Sequence, residues 1–246
     1  MDHYGSGFPV GKIETLNLYP LSFMEFLLAM KKDILVSQIM NHNWTEMNSI
    51  PSQLAKENKK FIYGAIKSGS RAKDFENAIQ WLIDAGLVHK VHRVKKIQMP
   101  LKFYEDLDCF KLFVNDLGLL GAMVEAPASE ILVGNNSFTS YKGSFTEQFV
   151  AQQYLSARRK SANTSNLYYY TNDNSTMEID FVIQTEKVYP IEVKAEENLK
   201  SKSLSTVLKE NDDLTGIRFS MANYKQQEKI VNVPLALAEE YIRSLL

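Results

Sequence analysis

Two short apolar stretches stand on either side of a three-residue gap: Met177-Glu-Ile-Asp-Phe-Val-Ile-Gln184 and Val188-Tyr-Pro-Ile-Glu-Val-Lys-Ala195, separated by Thr185-Glu-Lys187. Side chains alternate along a strand, so Glu192 and Lys194 are expected on one face, with Ile191, Val193 and Ala195 on the other. Asp180 falls opposite in phase to Ile179, Phe181 and Ile183. A gap this short predicts a hairpin, which would bring Asp180 beside Glu192. Residues 167–170, Leu-Tyr-Tyr-Tyr, predict a further strand whose tyrosines belong to a sheet core rather than to base stacking.

Helical spacing predicts the other elements. Over 142–155, Phe145, Phe149 and residues 151–155 form an apolar stripe, with Glu147 off it. Ser49 can cap a helix starting at Pro51, a second helix runs near 59–67, and a third spans 72–85 and stops at Gly86. Residues 87–96 read as an extended strand entering a hairpin, 107–124 as an apolar linking helix, 125–141 as a loop, and 198–210 as an exposed helix.

The carboxylates change the picture. Two acidic groups on adjacent strands, with a lysine one strand period beyond the second, suit phosphodiester hydrolysis: the carboxylates hold Mg²⁺ or Mn²⁺ and the lysine orients or acidifies the attacking water. A Glu-x-Lys triplet also occurs on solvated strand faces, and the spacing alone leaves both readings open. What favours chemistry is that these polar groups interrupt otherwise apolar strands.

This segment resembles the PD-(D/E)XK, restriction-endonuclease-like superfamily, whose pattern is an acidic residue on a helix, then Asp, then Glu-x-Lys on paired strands. The resemblance implies Asp180, Glu192 and Glu147 as metal ligands and catalytic residues, with Lys194 as the catalytic lysine. Read without it, Glu147 is equally a first-turn glutamate favoured by the helix dipole. Glu178, on the face of Asp180, is a spare ligand.

A wider resemblance rests on Ile50-Pro-Ser-Gln-Leu-Ala-Lys-Glu-Asn58, Ala78-Ile-Gln-Trp-Leu-Ile-Asp-Ala-Gly-Leu-Val88, Pro100-Leu-Lys102, Phe110-Lys-Leu-Phe-Val-Asn-Asp-Leu-Gly-Leu-Leu120 and the helix from Lys142-Gly143. From about Phe8 onward the chain is similar to the C-terminal domain of unknown function of many bacterial and archaeal AAA-type ATPases. It implies an α/β protein: a winged-helix-like helical module followed by a restriction-endonuclease-like domain with a central mixed sheet. The expected divisions are 1–48, the end of an ATPase module; 49–106, the winged-helix-like domain; 107–141, a linking helix and loop; and 142–246, the nuclease-like domain. No Gly-x-x-x-x-Gly-Lys-[Ser/Thr] loop is present, so the chain is not expected to be an ATPase by itself. A fragment, a truncated reading frame and a stand-alone descendant all fit that expectation.

Composition adds less. The 246 residues are 45% hydrophobic with a net charge of −1, so total charge points to no partner. A lone cysteine, Cys109, excludes internal disulfides and suits a reducing cytoplasm, and no apolar run predicts a membrane span. Charge is uneven, however: residues 50–105 carry eleven Lys or Arg against five Asp or Glu. Lys90, Arg93, Lys95 and Lys96, with His89 and His92, are candidate DNA phosphate contacts, as are Lys200 and Lys202. The alternative for the hairpin is a solvated edge whose charges prevent aggregation. Asp74, Glu76 and Asp84 beside Arg71 and Lys73 argue against base reading by the third helix. The expected partners are DNA and, through Leu16, Leu18, Phe23 and Phe26, an ATPase module or a second copy. Three functions follow: a Mg²⁺-dependent DNA nuclease, a catalytically inactive nuclease-like DNA-binding scaffold, or an ATPase-interaction module.

Overall fold

The largely apolar strands within 178–193 need cover on both faces, and the computed structural model provides it. It describes residues 22–29, 31, 33, 79, 80, 82–123, 142–159, 161, 165–197 and 200–246. In chain order the regular elements are α1 (Phe23–Ala29), β1 (Val88–Val94), β2 (Glu105–Val114), α2 (Leu117–Met123), α3 (Lys142–Arg159), β3 (Tyr168–Thr171), β4 (Glu178–Gln184), β5 (Val188–Val193), α4 (Lys202–Glu210), β6 (Gly216–Ser220), β7 (Lys225–Gln226), β8 (Ile230–Pro234) and α5 (Ala238–Leu245). Among the described residues the strands form one mixed sheet, ordered β2-β1-β3-β4-β5-β6-β8-β7. β1 runs parallel to β3, and β5, β6 and β8 run parallel to one another.

Helices cover both faces. Phe149, Val150, Tyr154 and Ala157 of α3 and Ile242 of α5 share one core with Phe113, Phe181, Ile191 and Phe219. Leu204, Val207 and Leu208 of α4 share the other with Val94, Tyr168, Ile179 and Val182. The close approach of α4 explains Gly216, where a Cβ would meet Leu208 Cδ1 at 2.8 Å. The mixed α/β class is as expected. Tyr168 and Tyr169 lie in the core, and β4 and β5 form the expected hairpin. Of the third helix, residues 79, 80 and 82–84 are described and helical. Gly86, at φ +69°, ends that turn, its N–H donating to Ile83 O and that of Leu87 to Leu82 O.

Three expectations need correction. Residues 107–114 are strand, not the start of a linking helix, and only α2 is helical there. An apolar run does not by itself distinguish strand from helix; pairing with β1 decides it. The hairpin read as part of a separate winged-helix-like module is therefore two strands of the common sheet, and a boundary at 106/107 falls inside β2. Lastly, α3 begins at Lys142, so Glu147 is in its second turn rather than its first, and it is buried rather than off the covered face. The helices expected near 51–67, the loop over 125–141, Leu16 and Leu18, and the side chains of Phe23 and Phe26 lie outside the described residues.

Glutamines on α3 stitch β2 to the sheet's helical cover. Gln148 is buried, its Oε1 accepts from Val114 N–H at 2.9 Å, and its Nε2 donates to Val114 O at 2.5 Å. Gln152 Oε1 accepts from Leu117 N–H at 3.0 Å, fixing the start of α2. Gln148→Ala would leave both backbone groups of Val114 without this partner. We expect a loss of about 2–4 kcal/mol in urea unfolding; a loss below about 0.5 kcal/mol would show that the clamp contributes nothing.

Candidate functional site

The β4/β5 ladder pairs Phe181 with Ile191, which one step further sets Asp180 across from Glu192, as the spacing predicts. The alternation around Asp180 is less regular than expected. Phe181 and Ile183 face α3, whereas Ile179 joins the core beneath α4. A one-residue shift in the β3/β4 register between Tyr168 and Tyr170 produces this change of side. Asp180 Oδ2 accepts a 2.7 Å hydrogen bond from Val193 N–H. Burial, then the negative charge of Glu147, pushes the Asp180 carboxyl up to about 8; Glu192 adds to the rise, while Lys111 and the Val193 N–H oppose it.

Glu192 is 6% exposed. Its Oε1 lies 2.5 Å from Lys194 Nζ, while Oε2 is buried and accepts no hydrogen bond among the described residues. A buried carboxylate oxygen in that state is costly and is suited to a cation. Beside Glu192 on the parallel strand β6 is Arg218. Arg218 donates from Nε to Asn232 Oδ1 at 3.0 Å and from its terminal nitrogens to Ser201 Oγ and Gln227 Oε1, each at 3.2 Å. Burial holds the guanidinium below its ordinary pKa, against the pull of Glu192.

The residue that the sequence did not disclose is Lys111. It is 1% exposed. Its Nζ lies 2.7 Å from Glu178 and 3.1 Å from Glu147, and 5.3 Å from the centre of the Tyr169 ring. The Glu147 and Glu178 carboxylates hold the ammonium protonated against the cost of burial. The signal was a single cation inside the apolar run Phe110-Lys-Leu-Phe-Val114, which needs a buried partner once the run is a strand. Glu147, Asp180 and Glu192 do not form a ready three-ligand set: among the described residues no three His, Cys, Asp or Glu gather so as to hold a metal ion. Asp180 and Glu192 fit one by their adjacency and by the orphaned Glu192 oxygen.

The basic candidates divide. Arg93 is turned inward, ion-paired with Asp106 and within 3.4 Å of Thr171 Oγ1. Lys90 lies over the Phe110 ring at 4.2 Å. His89 is 2.8 Å from Asn115 Oδ1, and His92 is 2.6 Å from Glu105. Lys95 and Lys96 are exposed and line a cleft of about 770 Å³ with Lys187, Tyr170, Glu210 and Asp212, none of the four expected catalytic residues being among its lining. Lys200 and Lys202 are exposed beside the start of α4.

Residues 142–238, from α3 to the first residue of α5, match a domain of unknown function, DUF4143, which occurs in C-terminal regions of AAA-type ATPases. Residues 44–130 match a second domain of unknown function, DUF8612. No curated protein and no solved structure matches the chain. The two matched regions contribute neighbouring strands to one sheet. No helix among the described residues is long and apolar enough to cross a membrane.

Proposed function

We propose that this is a restriction-endonuclease-like domain that hydrolyses phosphodiester bonds in DNA at Asp180, Glu192 and Lys194, and that it works with an AAA-type ATPase module. The observation that carries the reading is the buried, unbonded Oε2 of Glu192 across from a carboxyl that is already crowded by negative charge. A long helix, then antiparallel β3, β4 and β5 and parallel β6, is the order in which a fold of that kind would present these groups. Asp180 and Glu192 would hold a divalent ion, which supplies charge neutralisation for the phosphate and acidifies a water. Lys194, one-third exposed at the rim, would orient that water from its contact with Glu192. Exposed Lys200 and Lys202, at the start of α4, would meet the DNA backbone.

One observation favours a second reading, a DNA-binding scaffold without turnover: Lys111 engages Glu147, the acidic residue that the superfamily pattern would give to the metal. Cleavage decides. Purified protein is incubated with linear, single-stranded and branched DNA in Mg²⁺, Mn²⁺ or EDTA, beside Asp180→Asn. We expect metal-dependent products that fall at least 100-fold in the variant. No product on any substrate from the folded protein would leave the scaffold reading, with binding that weakens steeply as salt rises.

A further inference from the structure

We infer that Lys111 is a built-in cation of this site: its ammonium takes the place between Glu147 and Glu178 that a divalent ion would otherwise occupy, so that Asp180 and Glu192 form a one-ion site. The statement about Asp180 and Glu192 rests on the proposed function; the statement about Lys111 does not.

Geometry carries the Lys111 half. An ammonium is a compact point charge with three donors, and here two oxygens of different elements, α3 and the start of β4, converge on it at 3.1 and 2.7 Å. The tyrosine face of Tyr169 lies on a further side at 5.3 Å. The lysine stem rises from the middle of β2, beside the buried Phe110 and Phe113, and Lys111 itself is 1% exposed, so its ammonium is held among these side chains rather than in solvent. It is a fixed part of the site, unlike a surface ion pair. Two-metal hydrolases place a second ion beside the first to neutralise a second group of carboxylates and the reacting oxygens. In this chain a side chain already holds that second position, and Glu147 is committed to it.

The test is divalent-ion stoichiometry, measured with Mn²⁺ by electron paramagnetic resonance and calorimetry on the full chain. The wild type is expected to bind one ion per chain, and Lys111→Met, which keeps the apolar stem but removes the terminal ammonium and its charge, two. Lys111→Met should also melt at lower temperature in EDTA and recover in millimolar Mn²⁺. Two ions on the wild type would overturn the inference, and so would one on both proteins. No ion on the wild type but one on Lys111→Met would uphold Lys111 as the cation and remove the proposed Asp180/Glu192 ion site, whereas none on either removes both. Should Lys111→Met fail to fold, Glu178→Gln decides, since its side chain is partly exposed. The affinity of the wild-type ion should then change by no more than about threefold, whereas loss of a true ligand costs at least the 10–100-fold seen for groups that merely support one.

Discussion

Replacing Asp180 by asparagine should make the metal-free protein more stable, and the gain should grow with pH. The native carboxyl, pushed up to about 8, keeps its proton in a range where an unfolded aspartic acid, with a pKa of about 3.9, has lost it. Below about pH 4 both states are protonated and the group adds no pH dependence. Between about 4 and 8 the unfolded chain releases a proton that the folded chain retains, so stability falls as pH rises, by at most about 1.4 kcal/mol per pH unit. Asparagine keeps an acceptor for the Val193 N–H and has no charge to bury. Urea unfolding in EDTA at pH 5, 6.5 and 8 should therefore show the variant pulling ahead of the wild type by about 2 kcal/mol or more at pH 8. Parallel curves for the two proteins would mean that Asp180 is ionised in the folded state and that its crowding by Glu147 and Glu192 has no energetic consequence.

The same comparison bears on function, because a site that is strained in the absence of a cation gains most from binding one. A divalent ion on Asp180 and Glu192 would replace the retained proton and supply the partner that Glu192 Oε2 lacks among the described residues. Added Mn²⁺ should thus stabilise the wild type and leave Asp180→Asn unmoved. Stability traded for an ion site is a pattern that structural ion pairs do not produce, since mutating one member of such a pair destabilises.

What could be read from the chain was local. The β4/β5 hairpin, the α3 helix and the stop at Gly86 each follow from periods of 2 or 3.6 within about twenty residues, and each is found. The Glu192–Lys194 contact follows from one strand period. What could not be read depends on distant neighbours. β2 is apolar in a way that suits either period, and it is a strand because β1 pairs with it. The β1/β3 pairing joins residues more than seventy apart, so a hairpin that resembled an independent wing is part of the central sheet. Lys111 acquires its role only when that sheet brings β2 under α3, and Asp180 changes its neighbours through a register slip that no motif records.

Residues 142–246 expressed alone should fail to fold, although one matched region, 142–238, falls almost entirely within them and their bounds resemble those of a domain. The cut removes β1 and β2, and with them Val91, Val94, Ile97, Leu101, Phe110 and Phe113, all buried. At about 1.5–3 kcal/mol for each large apolar side chain, their loss alone rivals the 5–15 kcal/mol by which a domain is stable. The cut also exposes the edge of β3, removes the Val114 and Leu117 backbone groups that Gln148 and Gln152 engage, and takes Lys111 from the buried Glu147. A fragment of residues 79–246 keeps all of these contacts. Circular dichroism in both near and far ultraviolet, followed through urea, should give a cooperative transition for 79–246 and none for 142–246. A cooperative transition from the shorter piece would restore 142–246 as an independent unit and make the shared sheet an association between two domains; its absence would mean that Lys111 belongs to the same folding unit as Asp180 and Glu192, contributed by the region that the second family match covers.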